Sequence, residues 1–177
     1  MDLVIASNNK HKIEEFKQVF SKYGVNVFSL KELNINVDPE ETGKTFEENA
    51  KIKAVEVAKY TDKVVVADDS GIEISCLKGF PGIYSARFMK NNTYEEKFVE
   101  LNKMMGDSEN RVTNYNCSLA VANLTEKPLV FLVKVFGECS QEKKNEVSHR
   151  GVAIQMLLKY LVENNYLWEN IKMFYLI

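Results

Sequence analysis

The feature that most constrains the fold is the run Val64–Ala67, four apolar residues followed directly by Asp68, Asp69, Ser70 and Gly71. An apolar run this short indicates a β-strand buried on both faces, as in the centre of an α/β sheet. The polar residues after it then lie at the edge where open α/β sheets bind their ligands. Alternatively, Asp69, Ser70 and Gly71 form an ordinary tight turn, and the tetrapeptide alone does not separate these interpretations.

Along the rest of the chain the hydrophobic period alternates between that of a strand and that of a helix, which is typical of α/β domains. Strands are predicted at residues 3–7, 25–30 and 64–67, with a hairpin of strands at 112–121 and 129–138. Helices are predicted at 13–23, 45–60, 94–105 and 148–162. The apolar stripe of the third helix is expected to be core. We expect one domain over residues 1–177, an elongated α/β fold with a mixed central sheet, flanking helices and two lobes around a cleft.

Composition narrows the possible partners and compartment. Lys and Arg number 23 against 25 Asp and Glu, and a net charge of -2 argues against bulk binding to nucleic acid or to an acidic membrane. The sequence also lacks an apolar run of about 18 residues, so no membrane span is expected. Its three cysteines, Cys76, Cys117 and Cys139, lack metal-ligand spacing and favour a reducing, cytoplasmic location.

Two polar clusters, each next to the end of a predicted strand or loop, indicate sites that bind an anion. Ser7, Asn8, Asn9 and Lys12 lie between the first strand and the first helix, where amides and an ammonium bind phosphate oxygens. The other interpretation is ordinary turn and cap chemistry. Lys144, His149 and Arg150 surround the start of the last helix, where cations are unfavourable unless an anion shares the site; a solvated surface patch is equally compatible.

The pair Asp68 and Asp69 favours a metal ion. Adjacent carboxylates both remain ionised only where a cation or hydrogen-bond donors compensate their charge. Mg²⁺ binds one or two protein carboxylates together with substrate phosphates and water, which suits an acidic pair beside a phosphate-binding loop. Glu41, in the acidic loop before the second helix, is a candidate for a further ligand.

Four stretches resemble the inosine/xanthosine triphosphate pyrophosphatases, the Ham1-like hydrolases of non-canonical purine nucleotides. In chain order they are ASNNKHKIEEF, EETGKTFEENA, ADDSGIEISCLKGFPGIYSAR and EKKNEVSHRG. The resemblance extends from Leu3 to about Leu161. It implies Mg²⁺-dependent hydrolysis of ITP, dITP or XTP to the monophosphate and pyrophosphate, by what is usually a homodimer.

The resemblance also implies roles for individual residues. Asp69 corresponds to the carboxylate that activates water and binds the metal, with Asp68 and Glu41 as further metal contacts. Lys12 is a catalytic and phosphate-binding residue. The remaining substrate contacts implied are Ser7, Asn8, Asn9, Ser70, Lys144, His149 and Arg150.

The sequence departs from the family at one junction. A segment that holds the purine base in the family has no counterpart between Cys139 and Ser140. This favours an alternative function, a nucleotide-binding relative without catalysis, whereas retention of Lys12, Asp69 and Arg150 favours the enzyme. A Maf-like hydrolase of pyrimidine nucleotides ranks last, because it requires different loop motifs.

Overall fold

A computed structural model describes residues 1–138 and 149–167 of the chain. Its strands are β1 (Asp2–Ile5), β2 (Asn26–Ser29), β3 (Val64–Ile74), β4 (Val112–Ala122) and β5 (Leu129–Glu138). Its helices are α1 (Lys10–Phe20), α2 (Phe46–Ala58), α3 (Tyr94–Met105) and α4 (His149–Glu163). The predicted features at Cys139, Ser140, Lys144 and Ser148, and most of the apolar tail, lie outside the described residues.

The five strands form one mixed sheet in the order β2-β1-β3-β4-β5, which confirms the predicted α/β class. β1 pairs in parallel with β2 and β3, whereas β3, β4 and β5 are antiparallel. The parallel pairing of β1 with β3 ends at Ile5 opposite Val66. Beyond Val66, β3 continues beside β4 alone, so one of its edges is left without a strand neighbour in this sheet.

The predicted end of the third strand is wrong, and so is the tight-turn alternative. β3 does not stop at Ala67 but continues to Ile74, with Asp68 opposite Leu119 and Asp69 opposite Ser118. Local composition indicated a turn, but pairing with β4 supplies the backbone hydrogen bonds that keep the polar segment extended. The acidic pair therefore lies within a strand.

Helices cover both faces of the sheet. α1 and α4 pack on one face through Phe16, Phe20, Leu157 and Leu158, while Ala50, Ala54 and Val57 of α2 pack on the other. β4 is buried on both faces over this stretch, because Ser118, Ala120 and Ala122 are buried as well as Cys117, Leu119 and Val121. Since the side chains of Ser118, Ala120 and Ala122 are small, α2 packs closely over this part of the sheet.

The far half of β3 carries a smaller apolar cluster beneath α3. Leu101 and Met105 of α3 are buried there with Ile74, as the predicted stripe required. The prediction fails for the start of the same stripe, because Tyr94 is 79% exposed. Only the last two turns of α3 therefore pack as core.

The loop of residues 78–85 lies against the free edge of β3. The backbone N–H of Ile72 donates to Ser85 Oγ (3.0 Å), and that of Ile74 donates to the carbonyl of Phe80 (3.2 Å). Gly71 does not turn the chain, contrary to the tight-turn interpretation. Its lack of a side chain instead permits the close approach of the loop. A Cβ on Gly71 would lie 2.4 Å from Ser85 Oγ.

The last described helix starts and ends close to its predicted bounds. α4 covers His149–Glu163, and after it Leu167 is buried while Tyr166 stacks on Tyr160. Tyr166 and Leu167, which follow α4, thus pack on the rest of the described chain. Among the helices in residues 1–138 and 149–167, none is long and apolar enough to cross a membrane.

Candidate active site

The carboxylates of Asp68 and Asp69 lie on opposite faces of the sheet. Successive side chains of a strand alternate between faces, so Asp68 shares the α1/α4 face with Val66, and Asp69 shares the α2 face with Ala67. This geometry does not favour the expected single ion between the two carboxylates. Each carboxylate instead has its own set of cationic partners.

Asp68 is the buried centre of an ion cluster on the α1/α4 face. Its Oδ2 lies 2.9 Å from Lys12 Nζ and 3.2 Å from Arg150 Nε, and it accepts a hydrogen bond from Ser70 Oγ at 3.2 Å. The same guanidinium donates from Nη2 to Ser70 Oγ (3.2 Å) and from Nη1 to Glu15 Oε2 (2.6 Å). This cluster joins α1, β3 and α4.

The cations around Asp68 keep it ionised despite its burial. Burial alone raises the pKa of a carboxylate, but the charges of Lys12 and Arg150 outweigh it and lower the pKa of Asp68. Asp68 is therefore a fixed negative charge that positions two cations beside the end of β1.

Asp69 belongs to a second ion cluster, on the α2 face. Lys53 Nζ lies 3.2 Å from Asp69 Oδ1 and 2.7 Å from Glu41 Oε1. Arg87 Nη2 lies 2.5 Å from Glu41 Oε2. The ammonium of Lys53 thus bridges Asp69 and Glu41, two of the three residues that we predicted from the sequence as metal ligands.

The pKa of Asp69 is raised, in contrast to that of Asp68. Burial has the largest effect, and the negative charge of Glu41 adds to it, while Lys53 opposes both. Burial also acts on Glu41, but hydrogen bonds from Lys53 and Arg87 outweigh it and lower the pKa of Glu41. A carboxylate with a raised pKa accepts a proton more readily than its neighbours, as a general base must.

The carboxylate oxygens on the α2 face suit a Mg²⁺ ion. Asp69 Oδ2 is buried without a hydrogen-bond partner in the described part of the chain, and the Glu41 carboxylate shares Lys53 with Asp69. In residues 1–138 and 149–167 no three His, Cys, Asp or Glu side chains cluster as a metal site. Two carboxylates are nevertheless sufficient for Mg²⁺, because substrate phosphates and water supply its remaining ligands.

The first loop is ordered by its own side chains. Asn9 caps α1, accepting hydrogen bonds from the backbone N–H groups of His11 and Lys12, and Ser7 Oγ accepts from the backbone N–H of Asn9. Asn8 is exposed. Ser7 and Asn9 therefore have the structural role that the turn-and-cap interpretation gave them, and phosphate binding by this loop remains a prediction.

A cavity of about 360 Å³ opens beside Ser70 on the α1/α4 side. Its walls include Ser85, Phe88, Phe98, Tyr115 and His149. His149 stacks on Tyr115 with ring centroids 5.6 Å apart. Burial and the neighbouring Arg150 lower the pKa of His149, which favours the uncharged imidazole.

A second cleft, of about 730 Å³, adjoins Glu41 and Arg87 on the α2 side. The edge of β3 at Asp68–Ser70 has no strand neighbour in the described sheet, and it lies between the bond of the Ala6 N–H to Val66 and the bond of the Ile72 N–H to Ser85. A ligand that crosses this edge reaches both ion clusters.

Sequence reasoning missed three charged residues that contact predicted site residues. Lys53, Arg87 and Glu15 contact predicted site residues and were not predicted. Lys53 had a signal, because it lies four residues after Asn49 and beside Ala54, on the buried face of α2. Arg87 and Glu15 meet their partners only through the fold. Lys144 lies outside the described residues.

Comparison with known proteins shows which family the chain belongs to. A family model described as the Ham1 family matches residues 3–137. The chain is 38% identical to the dITP/XTP pyrophosphatase of Clostridium perfringens (87% of this chain, 94% of that protein) and 35% identical to that of Bacillus subtilis (90% and 96%). The structure of the Staphylococcus aureus Ham1 protein superposes with a TM-score of 0.80 at 34% identity, covering 93% of this chain and all of the other.

These relatives are longer in the matched region. The alignments with the Clostridium and Bacillus proteins extend over 195 and 191 positions, more than the 177 residues of this chain. The relatives therefore carry residues that have no counterpart here. The family model, the sequence identities and the superposition nevertheless agree, and the chain belongs to the Ham1 family.

Proposed function

We propose that this protein hydrolyses the triphosphates of non-canonical purine nucleosides, dITP, XTP and ITP, to the monophosphate and pyrophosphate. The observation that carries the proposal is Asp69, a carboxylate of raised pKa beside Glu41 and Lys53, across one strand edge from Lys12 and Arg150. The curated relatives named dITP/XTP pyrophosphatase support the enzyme over a binding protein without catalysis.

In the proposed reaction water attacks the α-phosphorus. Its oxygen forms a bond to phosphorus while the bond to the bridging oxygen of the β-phosphate breaks, and pyrophosphate leaves with the electron pair. Asp69 accepts the proton of the attacking water. Lys12 and Arg150 stabilise the charge that develops on the leaving pyrophosphate.

Glu41 and Asp69 are the residues we propose to hold Mg²⁺. When bound, the ion supplies charge neutralisation for the phosphate oxygens. Asp68 is better suited to positioning Lys12 and Arg150 than to binding the ion, because its Oδ2 already contacts both. Ser70 shares the Arg150 guanidinium with Asp68 and reaches the substrate side of the same cluster.

The remaining substrate contacts divide between the phosphates and the base. We assign the phosphates to Lys144 and to the loop with Ser7, Asn8 and Asn9, and the base to His149. The cavity between His149 and Phe98 supports placing the base on this side, since stacking aromatic side chains suit a purine ring.

The test is pyrophosphate release from dITP, XTP and ITP compared with ATP and GTP, in Mg²⁺ and in EDTA, on protein of verified intact mass. We expect Mg²⁺-dependent release from the deaminated purines only. Binding without release at a mass that matches 177 residues would instead support the non-catalytic relative, with the segment at the Cys139–Ser140 junction truly missing.

We also propose that residues 1–177 form one domain that assembles as a homodimer in the cytoplasm. The free thiols of Cys76 and Cys117 support a reducing compartment. Light scattering on the purified protein tests the assembly, since a dimer has twice the chain mass of 20.3 kDa.

A further inference from the structure

Three of the four carboxylate oxygens of Glu41 and Asp69 already contact a cation of this chain. Lys53 lies between Glu41 Oε1 and Asp69 Oδ1, at 2.7 and 3.2 Å, and Arg87 contacts Glu41 Oε2. The fourth oxygen, Asp69 Oδ2, is buried without a partner in the described part of the chain. The carboxylate pair is therefore occupied by protein cations before any metal binds.

The ammonium of Lys53 and a magnesium ion compete for these oxygens. Mg²⁺ needs its oxygen ligands at about 2.0–2.1 Å in a nearly ideal octahedron, whereas the ammonium holds the two oxygens at hydrogen-bond distances. The positive charge of Lys53 also repels a second cation at the same place. The Lys53 side chain is only 12% exposed, so it does not leave the cluster by a small rotation into water.

We propose that Lys53 is a built-in counter-ion that occupies the metal position of the free protein and yields it only when a nucleotide triphosphate binds. The proposal rests on the proposed function. The triphosphate supplies anionic oxygens that receive the released ammonium, and the vacated carboxylates then bind the ion. Metal and nucleotide therefore bind with positive coupling, and the free protein has low affinity for divalent cations.

The test measures Mn²⁺ binding, by electron paramagnetic resonance of the free ion, to the full chain without nucleotide. Mn²⁺ is a spectroscopic substitute for Mg²⁺. We expect Lys53→Met to bind Mn²⁺ at least tenfold more tightly than the wild type, because the competing charge has gone. Lys53→Arg retains the charge and is expected to bind as weakly as the wild type.

The matched control is Lys51→Met. Lys51 is on the same helix, is 47% exposed and pairs with Glu47 at 3.7 Å, so its loss removes one charge without opening the cluster. Equal Mn²⁺ affinity of Lys53→Met and Lys51→Met overturns the proposal. If Lys53→Met does not fold by circular dichroism, Lys53→Gln, which keeps a polar side chain, replaces it under the same criterion.

A second comparison separates this proposal from the proposed function. Adding Asp69→Asn to Lys53→Met is expected to abolish the gained Mn²⁺ binding, which locates it at this cluster. A non-hydrolysable α,β-methylene analogue of dITP is expected to raise the Mn²⁺ affinity of the wild type by a larger factor than that of Lys53→Met. An equal factor for both overturns the coupling, even where dITP hydrolysis is normal.

Discussion

The two adjacent aspartates show how one strand gives the same residue type two different roles. Asp68 is paired with Lys12 and Arg150 and has a lowered pKa, so its charge is part of the structure. Asp69 is the reverse case, because burial makes its charge unfavourable and raises its pKa. This difference in pKa is the reason why we propose Asp69 as the general base and Asp68 as a positioning residue.

Replacing Asp69 with asparagine is expected to abolish catalysis and to leave the fold intact. Loss of the general base lowers kcat by at least about a hundredfold. The free energy of unfolding changes by less than about 1 kcal/mol, because the replacement removes a charge that burial disfavours. Pyrophosphate release and urea unfolding measure the two effects. Full activity of this variant would show that the catalytic assignment is wrong.

A matched control lies on the same face of the same strand. Glu73 is four residues after Asp69 and pairs with Lys134 at 3.2 Å. Glu73→Gln therefore makes the same change from acid to amide outside the ion cluster. Its kcat is expected to equal that of the wild type.

At the scale of elements, helices were easier to predict than the central strand. The helix α3 begins at a capping box of Thr93 and Glu96 and ends at Gly106, all local signals that the sequence displays. The length of β3 depends on β4, whose pairing partners lie about 50 positions later. A local pattern of Asp, Ser and Gly indicates a turn, and only the neighbouring strand overrides it.

The same dependence explains which part of the site was predictable. Once β3 is known to continue, the separation of Asp68 from Asp69 onto opposite faces follows from the two-residue period of a strand. The contact between Arg87 and Glu41 joins residues 46 positions apart and has no local signal. The motifs therefore identified candidate site residues. The contacts of those residues with distant parts of the chain could not be predicted.

Gly71 is expected to control how the loop of residues 78–85 docks on the edge of β3. A methyl group there would lie 2.4 Å from Ser85 Oγ and 2.7 Å from the carbonyl of Gly82, so the loop must move. We expect Gly71→Ala to destabilise the protein by about 1–3 kcal/mol, the usual cost of overpacking. Hydrogen exchange should increase at the amides of Ile72 and Ile74, which bond to the loop, but not at Val65. Unchanged exchange at those two amides would contradict this account.

At the scale of the whole molecule, two ion clusters lie on either side of one sheet and respond differently to acid. The cluster around Asp68 joins α1 and α4 to β3, and Glu32 joins α1 to the end of β2 through Lys17 and Ser29. Hydrogen bonds from Lys17 and Ser29 lower the pKa of Glu32 to about 2. On the opposite face, the raised pKa of Asp69 means that its protonation does not cost stability. On the α2 face, acid removes a stabilising charge at Glu41, whose pKa is lowered, but not at Asp69.

This asymmetry predicts how stability depends on pH. Because the folded-state pKa of Asp68 lies below the unfolded value of about 3.9, its contribution is complete above pH 5 and is lost as the pH falls through the folded pKa. At pH 7, Asp68→Asn is expected to lower the free energy of unfolding by about 3–5 kcal/mol, because Lys12 and Arg150 lose a buried partner. Urea unfolding at pH 7, 5, 4 and 3 should show the wild type approaching the variant as acid protonates Asp68. Asp62→Asn, an exposed change, should follow the wild type throughout. A constant difference between wild type and Asp68→Asn from pH 7 to pH 3 would mean that the charge of Asp68 does not hold the helices to the sheet.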